Sequence, residues 1–270
     1  MENTNRNKIL VLIGLTENSV NVLKNALKMA EIIGGKLEIF HVCKPTSLVE
    51  KDNSLSAFST IKDHYLIIEN KIQTMISSAL QDNQIAINHV FAFGHIKNEI
   101  KNHLESTKPD IVVMGKRKSR TPDFLGDKII PFVFKNFKND IMIVDDNNVL
   151  EAKTKLSLGL LNMVTLESNL KYYDTLVSNI KGPIRTFKVA DSNNKKTDSG
   201  MAKEGNIISY EFEKNDQTLK TVSNYVDINK VNLLLLKRKS KVSPKNDDIS
   251  FSGLNSLTQS FKVPVLFIVR

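Results

Sequence analysis

Apolar residues along this chain alternate between short unbroken runs and three- and four-residue steps. "KILVLIGL" (8–15) is almost wholly apolar and short, which predicts a strand covered on both faces. Next, Val20, Leu23, Ala26, Leu27 and Ala30 share one face of a predicted helix, with Thr16 as its capping residue and Gly34-Gly35 as its stop. "KLEIFHV" (36–42) predicts a second strand, and Ile61, Tyr65, Ile68, Ile72, Met75 and Ala79 mark a longer helix. A third strand is expected at 85–93, "IAINHVFAF", and a short helix at Ile96, Ile100 and Leu104. "DIVVMG" (110–115), a helix over about 127–137 and "DIMIVD" (140–145) complete the front half. Apolar strands alternating with helices predict a parallel sheet with helices on both faces.

The rear half repeats the plan in worn form. "KLSLGLLN" (155–162) stands for the first strand, and Leu166, Leu170, Tyr173, Val177 and Ile180 for the first helix, stopped by Gly182-Pro183. "RTFKVAD" (185–191) is the second strand. The stretch 192–205 is too polar and too short to replace the long second helix, and a flexible loop is expected there. "NIISYEF" (206–212), a helix around Leu219, Val222 and Val226, "VNLLLL" (231–236) and "VPVLFIV" (263–269) supply the rest. Duplication accounts for this order. The fold class predicted is α/β, two tandem doubly wound domains with five-strand parallel sheets, the second reduced. Their expected bounds are 1–146 and 153–270.

One tetrad marks the same joint in both halves. "KRKS" follows the fourth strand at 116–119 and again at 237–240, 121 residues later. Three readings compete: a phosphate-gripping loop, a nucleic-acid patch, and a solvated strand exit inherited by duplication. Cations leaving a strand at its carboxyl end stand where anionic ligands bind in open parallel sheets. Three charges without an aromatic platform or a recognition helix make nucleic acid a disfavoured partner. The solvated exit is the leading account.

Composition narrows the classes further. The 270 residues carry a net charge of +9, with 19 basic against 17 acidic residues in 1–148 and 19 against 12 in 149–270. Such a balance attracts anions weakly and says nothing of fold. No apolar stretch is long enough to span a bilayer and no signal peptide is read, so no membrane is expected. One cysteine, Cys43, fits a cytoplasmic protein and reads as a structural thiol. The five histidines show no metal-ligand spacing, so no metal site is predicted. His89, His95 and His103 read as surface or packing residues. No G-x-S-x-G turn, G-x-x-x-x-G-K-[ST] loop or H-E-x-x-H helix is present, and no catalytic residue is assigned.

"ILVLIGLTENSVNVLKNALKMAEIIGGKLEIFHV" (9–42), "DIVVMG" with the loop and helix after it, "DIMIV", and above all "VPVLFIV" are similar in order to the universal stress protein family. The resemblance covers the whole chain as two tandem domains and is faint over 150–230. It implies a stress-associated binding or scaffold protein that is not an enzyme, with a partner protein the sequence does not name. It also implies that 140–145 and 263–269 pair within one molecule as a pseudo-dimer; whether a homodimer forms above that level is left open by the sequence. Many members bind ATP through an Asp after the first strand and a glycine-rich loop after the fourth, where backbone amides meet phosphate. Gly14 stands at that Asp position, Gly115 keeps the first glycine, Lys118 replaces the second, and Asp127-Lys128 replaces the final pair beside Gly126. In the rear copy Leu161, Leu236 and Lys239 take the corresponding places. The degenerate nucleotide site is therefore Gly14, Val42, Gly115, Lys116, Arg117, Lys118 and Gly126. No cofactor is expected, and ATP is disfavoured. A nucleotide or anion sensor using the front strand ends is the alternative reading. His41 corresponds to the family's strand-end histidine.

Overall fold

The computed structural model describes residues 6–16, 18–43, 54–80, 85–116, 129–145, 148–150, 156–166, 168–190, 202–204, 206–238 and 251–269. In the front half the order is β1 (Lys8–Ile13), α1 (Ser19–Ile33), β2 (Lys36–Cys43), α2 (Ser54–Leu80), β3 (Ile87–Phe93), α3 (Ile96–Thr107), β4 (Ile111–Gly115), α4 (Ile129–Asn136) and β5 (Asp140–Val144). The rear half runs β6 (Leu158–Leu161), α5 (Tyr173–Ser178), β7 (Ile184–Ala190), β8 (Ala202–Glu204), β9 (Ile207–Glu213), α6 (Thr218–Ile228), β10 (Leu233–Arg238), α7 (Phe251–Ser260) and β11 (Val265–Val269). α1 ends where the glycines predict: Gly34 adopts φ 63° and returns its N–H to the Ala30 carbonyl. Its start differs from expectation. Asn18 is the N-cap, and the Thr16 N–H donates to Ser19 Oγ instead of capping the helix from its side chain.

All eleven strands form one sheet in the order β3-β2-β1-β4-β5-β11-β10-β6-β7-β9-β8. Each half is doubly wound, its order reversing between β1 and β4 in front and between β6 and β10 in the rear, and within each half every pair of neighbouring strands but β8–β9 is parallel. The halves meet where β5 and β11 pair antiparallel, with Val265 opposite Ile143, Leu266 opposite Met142 and Phe267 opposite Ile141. Two strands that would end two separate sheets thus close each other's open edge. Alternation along β4, β5, β10 and β11 sends side chains to both faces, so two cores form. Leu27, Ile39, Met142, Leu160 and Leu266 belong to one; Val112, Val133, Leu234, Leu254 and Phe267 belong to the other. Both cores draw residues from both halves and cross the seam.

The rear half lacks a counterpart of α2 among the described residues, and its strands are rewritten to suit. Matching ladder registers puts Thr186 where the front half has Ile39, Lys188 for His41, Ser209 for His89 and Glu211 for Phe91. Thr186 donates to Ser209 at 2.8 Å and Lys188 pairs with Glu211 at 2.7 Å, so polar cross-strand pairs pave the face a helix would cover. The opposite face stays apolar, with Phe187 stacked on Tyr210 under α6.

Two expectations need correction. The stretch 192–205 is not all loop: β8, at 202–204, pairs antiparallel with β9, while 191–201 and 205 lie outside the described residues. The predicted rear helix over Leu166–Ile180 shrinks to six residues in α5. Leu166 and Leu170 reach the core from turns before it, and Ile180 bridges to Leu156 after it. Core burial produced the helical spacing there without a helix.

Candidate functional site

Ligands of open parallel sheets sit at strand carboxyl ends where the order reverses, which in the front half is between β1 and β4. The β1–β4 register runs to Leu12 opposite Met114 and carries on to Ile13 opposite Gly115 and Gly14 opposite Lys116, so both glycines lie at that end, one step out of line with each other. Gly14 is exposed and Gly115 half-buried; Val42, at the end of β2, is half-buried against the core of α3 and α4. Arg117, Lys118 and Gly126 lie outside the described residues. Leu15 follows Gly14 at φ 51°, a left-handed conformation that costs a side-chain-bearing residue about 1 kcal/mol. Thr16 and Ser19 bond hydroxyl to hydroxyl at 3.2 Å one step further on.

His41 closes this end of β2. Its Nδ1 lies 2.9 Å from the Ile13 carbonyl, which fixes Nδ1 as the donor and leaves Nε2 as the acceptor. Burial holds the imidazole pKa below its usual value, more than the Ile13 bond raises it, with Lys71 adding to the lowering. A neutral ring is thus what the fold accommodates. The unfolded chain binds this proton more readily, so His41 contributes stability that is present above about pH 6.5 and lost as pH falls toward the native pKa. Unfolding experiments from pH 7.5 to 5 should therefore show a smaller acid loss in His41→Gln than in wild type. An identical pH slope in the two proteins contradicts this assignment. Cys43, two residues on, is buried, and desolvation pushes its thiol up to about 11, which suits a packing role and not a nucleophile.

At Lys116, the first cation of the tetrad, the solvated-exit reading fails, whereas Lys237 in the rear copy is exposed as that reading expects. Lys116 is 5% exposed. Its Nζ pairs with Asp145 at 2.6 Å and donates to the carbonyls of Phe261 at 2.6 Å and Thr258 at 3.2 Å. Those carbonyls belong to the carboxyl end of α7, in the other half of the chain. Arg238 does the converse. It is 9% exposed, and its guanidinium donates to Phe134, Phe137 and Asn139 carbonyls at the carboxyl end of α4. Its charge also lies 5.5 Å from the Phe134 ring centroid. A helix carboxyl end presents unsatisfied carbonyls and partial negative charge, so a cation held there answers both.

These two clasps are related by the duplication. Aligning the ladder Val112–Ile141 with Leu234–Val265 makes Lys116 the counterpart of Arg238, and Phe137 the counterpart of Phe261. The letters of the tetrad align Lys116 with Lys237; the faces of the sheet align it with Arg238. By the same register Lys237, and not Leu236, takes the place of Gly115.

Around Arg238 the seam holds further polar groups. Tyr172 donates to Asp140 Oδ2 at 2.6 Å, and the Val269 N–H donates to its Oδ1 at 2.9 Å. Burial pushes the Asp140 carboxyl up, against the Tyr172 and Val269 bonds and the Arg238 charge. Desolvation pulls Arg238 down to about 10, which still leaves it charged at neutral pH. Two other histidines are tied down in packing roles: His89 Nε2 meets Glu69 at 2.8 Å, and His103 bonds Glu38 at 2.6 Å while stacking on Phe40. Nothing in the letters reveals that Lys116 and Arg238 are buried. The nearest signal is that both continue the alternation of an apolar strand on its inward phase.

Among the described residues no group of three or more His, Cys, Asp and Glu could hold a metal ion, and no helix is long and apolar enough to cross a membrane. No curated protein sequence matches the chain. The solved structures it resembles include a universal stress protein from Archaeoglobus fulgidus DSM 4304, at 16% identity and a TM-score of 0.65, covering 98% of this chain and 99% of that one. Another is a functionally unknown protein from Pseudomonas aeruginosa PAO1, at 9% identity and a TM-score of 0.58, covering 98% and 93%. At such identities the likeness speaks to the fold, which in both cases extends over the full length of this tandem sheet. The sequence model described as "Universal stress protein family" matches residues 5–145, the front half from before β1 to the end of β5, and the chain belongs to that family.

Proposed function

We propose that this chain is a non-catalytic, stress-associated binding or scaffold protein, built as two domains of about 1–146 and 153–270, whose front strand ends do not act as an ATP site. The observation that carries this reading is the fate of Lys116. It begins the loop in which the family's nucleotide binders gather phosphate, yet here it points inward, paired with Asp145 and capping α7. A phosphate drawing on this ammonium has to break that clasp. Gly14 adds to the argument, because no carboxylate stands at that position to hold a nucleoside.

Proteins that bind ligand in the native state are stabilised by mass action, by about 2.7 kcal/mol at a hundredfold excess over the dissociation constant. With ATP, ADP or AMP at millimolar concentration, the melting temperature is expected to stay within about 1 °C of its ligand-free value. A rise of several degrees that is abolished in Gly115→Val would establish the nucleotide sensor in place of this reading. The site would then rest on Gly14, Val42, Gly115, Gly126 and the cations Arg117 and Lys118, with Lys116 remaining in its clasp. A protein partner and a cytoplasmic location belong to the same proposal, and co-purification from stressed and unstressed cells is their test.

A further inference from the structure

We propose that two copies of this chain associate through β3, edge to edge and antiparallel, with Val90 on the two-fold axis. β3 ends the eleven-strand sheet, and among the described residues its ladder partner is β2 alone. An edge strand carries a row of unused N–H and C=O groups, and edges are ordinarily guarded by lysine, proline, a bulge or brevity. "INHVFAF" has no lysine and no proline and runs for seven residues. The opposite end of the sheet is handled otherwise: β9, the counterpart of β3, is covered by the short antiparallel strand β8, which brings Lys203 and Glu204 to the edge. The duplicated half therefore shows that this position accepts an antiparallel strand, and that the front half lacks an internal one among the described residues.

The sequence of β3 is self-complementary about its centre. With Val90 opposite Val90 of the second copy, Ile87 faces Phe93, His89 faces Phe91, and Asn88 faces Ala92. Every such pair lies on one face of the sheet, because side chains alternate with a period of two. Apolar side chains flank the line of contact. Val90 is 41% exposed on the α3 side, and on the α2 side Tyr65 and Leu66 are 50% and 48% exposed. Tyr65 packs on Phe91 at 4.7 Å, and Leu66 stands one turn before Glu69, which bonds His89. Aromatic and aliphatic cross-strand pairs are the units that stabilise sheets.

Charge distinguishes a second copy from other occupants. The front half holds 19 basic and 17 acidic residues and is close to neutral, whereas the rear half, with 19 and 12, carries most of the +9. Joining two chains at β3 places the basic halves at opposite ends of the assembly, where their repulsion is weakest.

Sedimentation of the full chain from 1 to 200 µM tests this. The expected result is a concentration-dependent dimer whose dissociation constant rises at least about tenfold in Val90→Lys, with the melting temperature held within about 2 °C. In a Cys43→Ser background, mild oxidation should link Val90→Cys into a disulfide dimer far faster than Asn88→Cys, since only position 90 meets itself across the axis. A chain that stays monomeric throughout overturns the proposal, as does a dimer that Val90→Lys leaves intact. Equal cross-linking at 88 and 90 overturns the stated register.

Discussion

Replacing Lys116 by methionine is expected to lower the free energy of unfolding by about 3–5 kcal/mol, the loss typical of cutting one partner from a buried ion pair. An exposed lysine–aspartate pair contributes only about 0–1 kcal/mol, so the prediction depends on burial. Lys116 is 5% exposed and Asp145 is 6% exposed. The ammonium has three donors and uses them in three directions, toward Asp145, Phe261 and Thr258. Methionine keeps much of the apolar stem and removes the charge, so packing loss is small and the electrostatic loss dominates. Asp145 then loses this counter-charge in the interior, and the carbonyls at the end of α7 lose a donor. Urea unfolding reads the effect as a lower midpoint at unchanged slope. Adding Asp145→Asn to Lys116→Met should restore part of the loss, because the second change removes the carboxylate that the Lys116 charge balanced. A midpoint shift equivalent to less than about 1 kcal/mol, or no recovery in the double variant, means that Lys116 is not the clasp described.

The strands of the front half were readable because β1, β4 and β5 are covered on both faces and so form unbroken apolar runs. The rear half was harder to read for a physical reason: where α2 has no counterpart among the described residues, Thr186, Lys188, Ser209 and Glu211 replace an apolar face, and the repeat fades. Leu166 and Leu170 misled in the other direction, since burial alone spaced them as in a helix. The tetrad was conspicuous and its placement was not. A lysine after an apolar strand looks solvated unless its acceptors are known, and the two carbonyls that Lys116 caps lie 142 and 145 residues away. Letter-by-letter comparison also paired the wrong residues. Strand faces repeat every two positions, so a one-residue slip exchanges inside and outside. Lys116 and Arg238 share an inward phase that Lys116 and Lys237 do not. Gly14 lies just past β1 and Gly115 ends β4, so their position at the reversal of strand order follows from two legible strands.

Arg238→Met should cost about 3 kcal/mol, somewhat less than the lysine variant, because its acceptors are carbonyls and not a close carboxylate. Three carbonyls fan out at the end of α4, on Phe134, Phe137 and Asn139, and the forked guanidinium reaches all three. Its Nε is buried without a partner, so part of the gain is already offset in the native state. Arg238→Lys is therefore the sharper test. It keeps the charge near the helix end and near Asp140, but a single ammonium on a shorter stem cannot span the fan. If charge at the helix end is what matters, the lysine variant should retain most of the stability. If satisfying the carbonyls matters, it should lose more than half of what methionine loses, and the second outcome is expected because three acceptors, one buried and two part-buried, outweigh one helix-end charge of about 0.3–1 kcal/mol. Lys116 and Arg238 share no acceptor, so in a chain that unfolds as one unit their losses should add to within about 0.5 kcal/mol. Additivity would mean that both clasps report on a single cooperative sheet crossing the β5–β11 seam. A second variant with little further effect would mean that the first had already parted the halves, leaving nothing across the seam for the other clasp to hold.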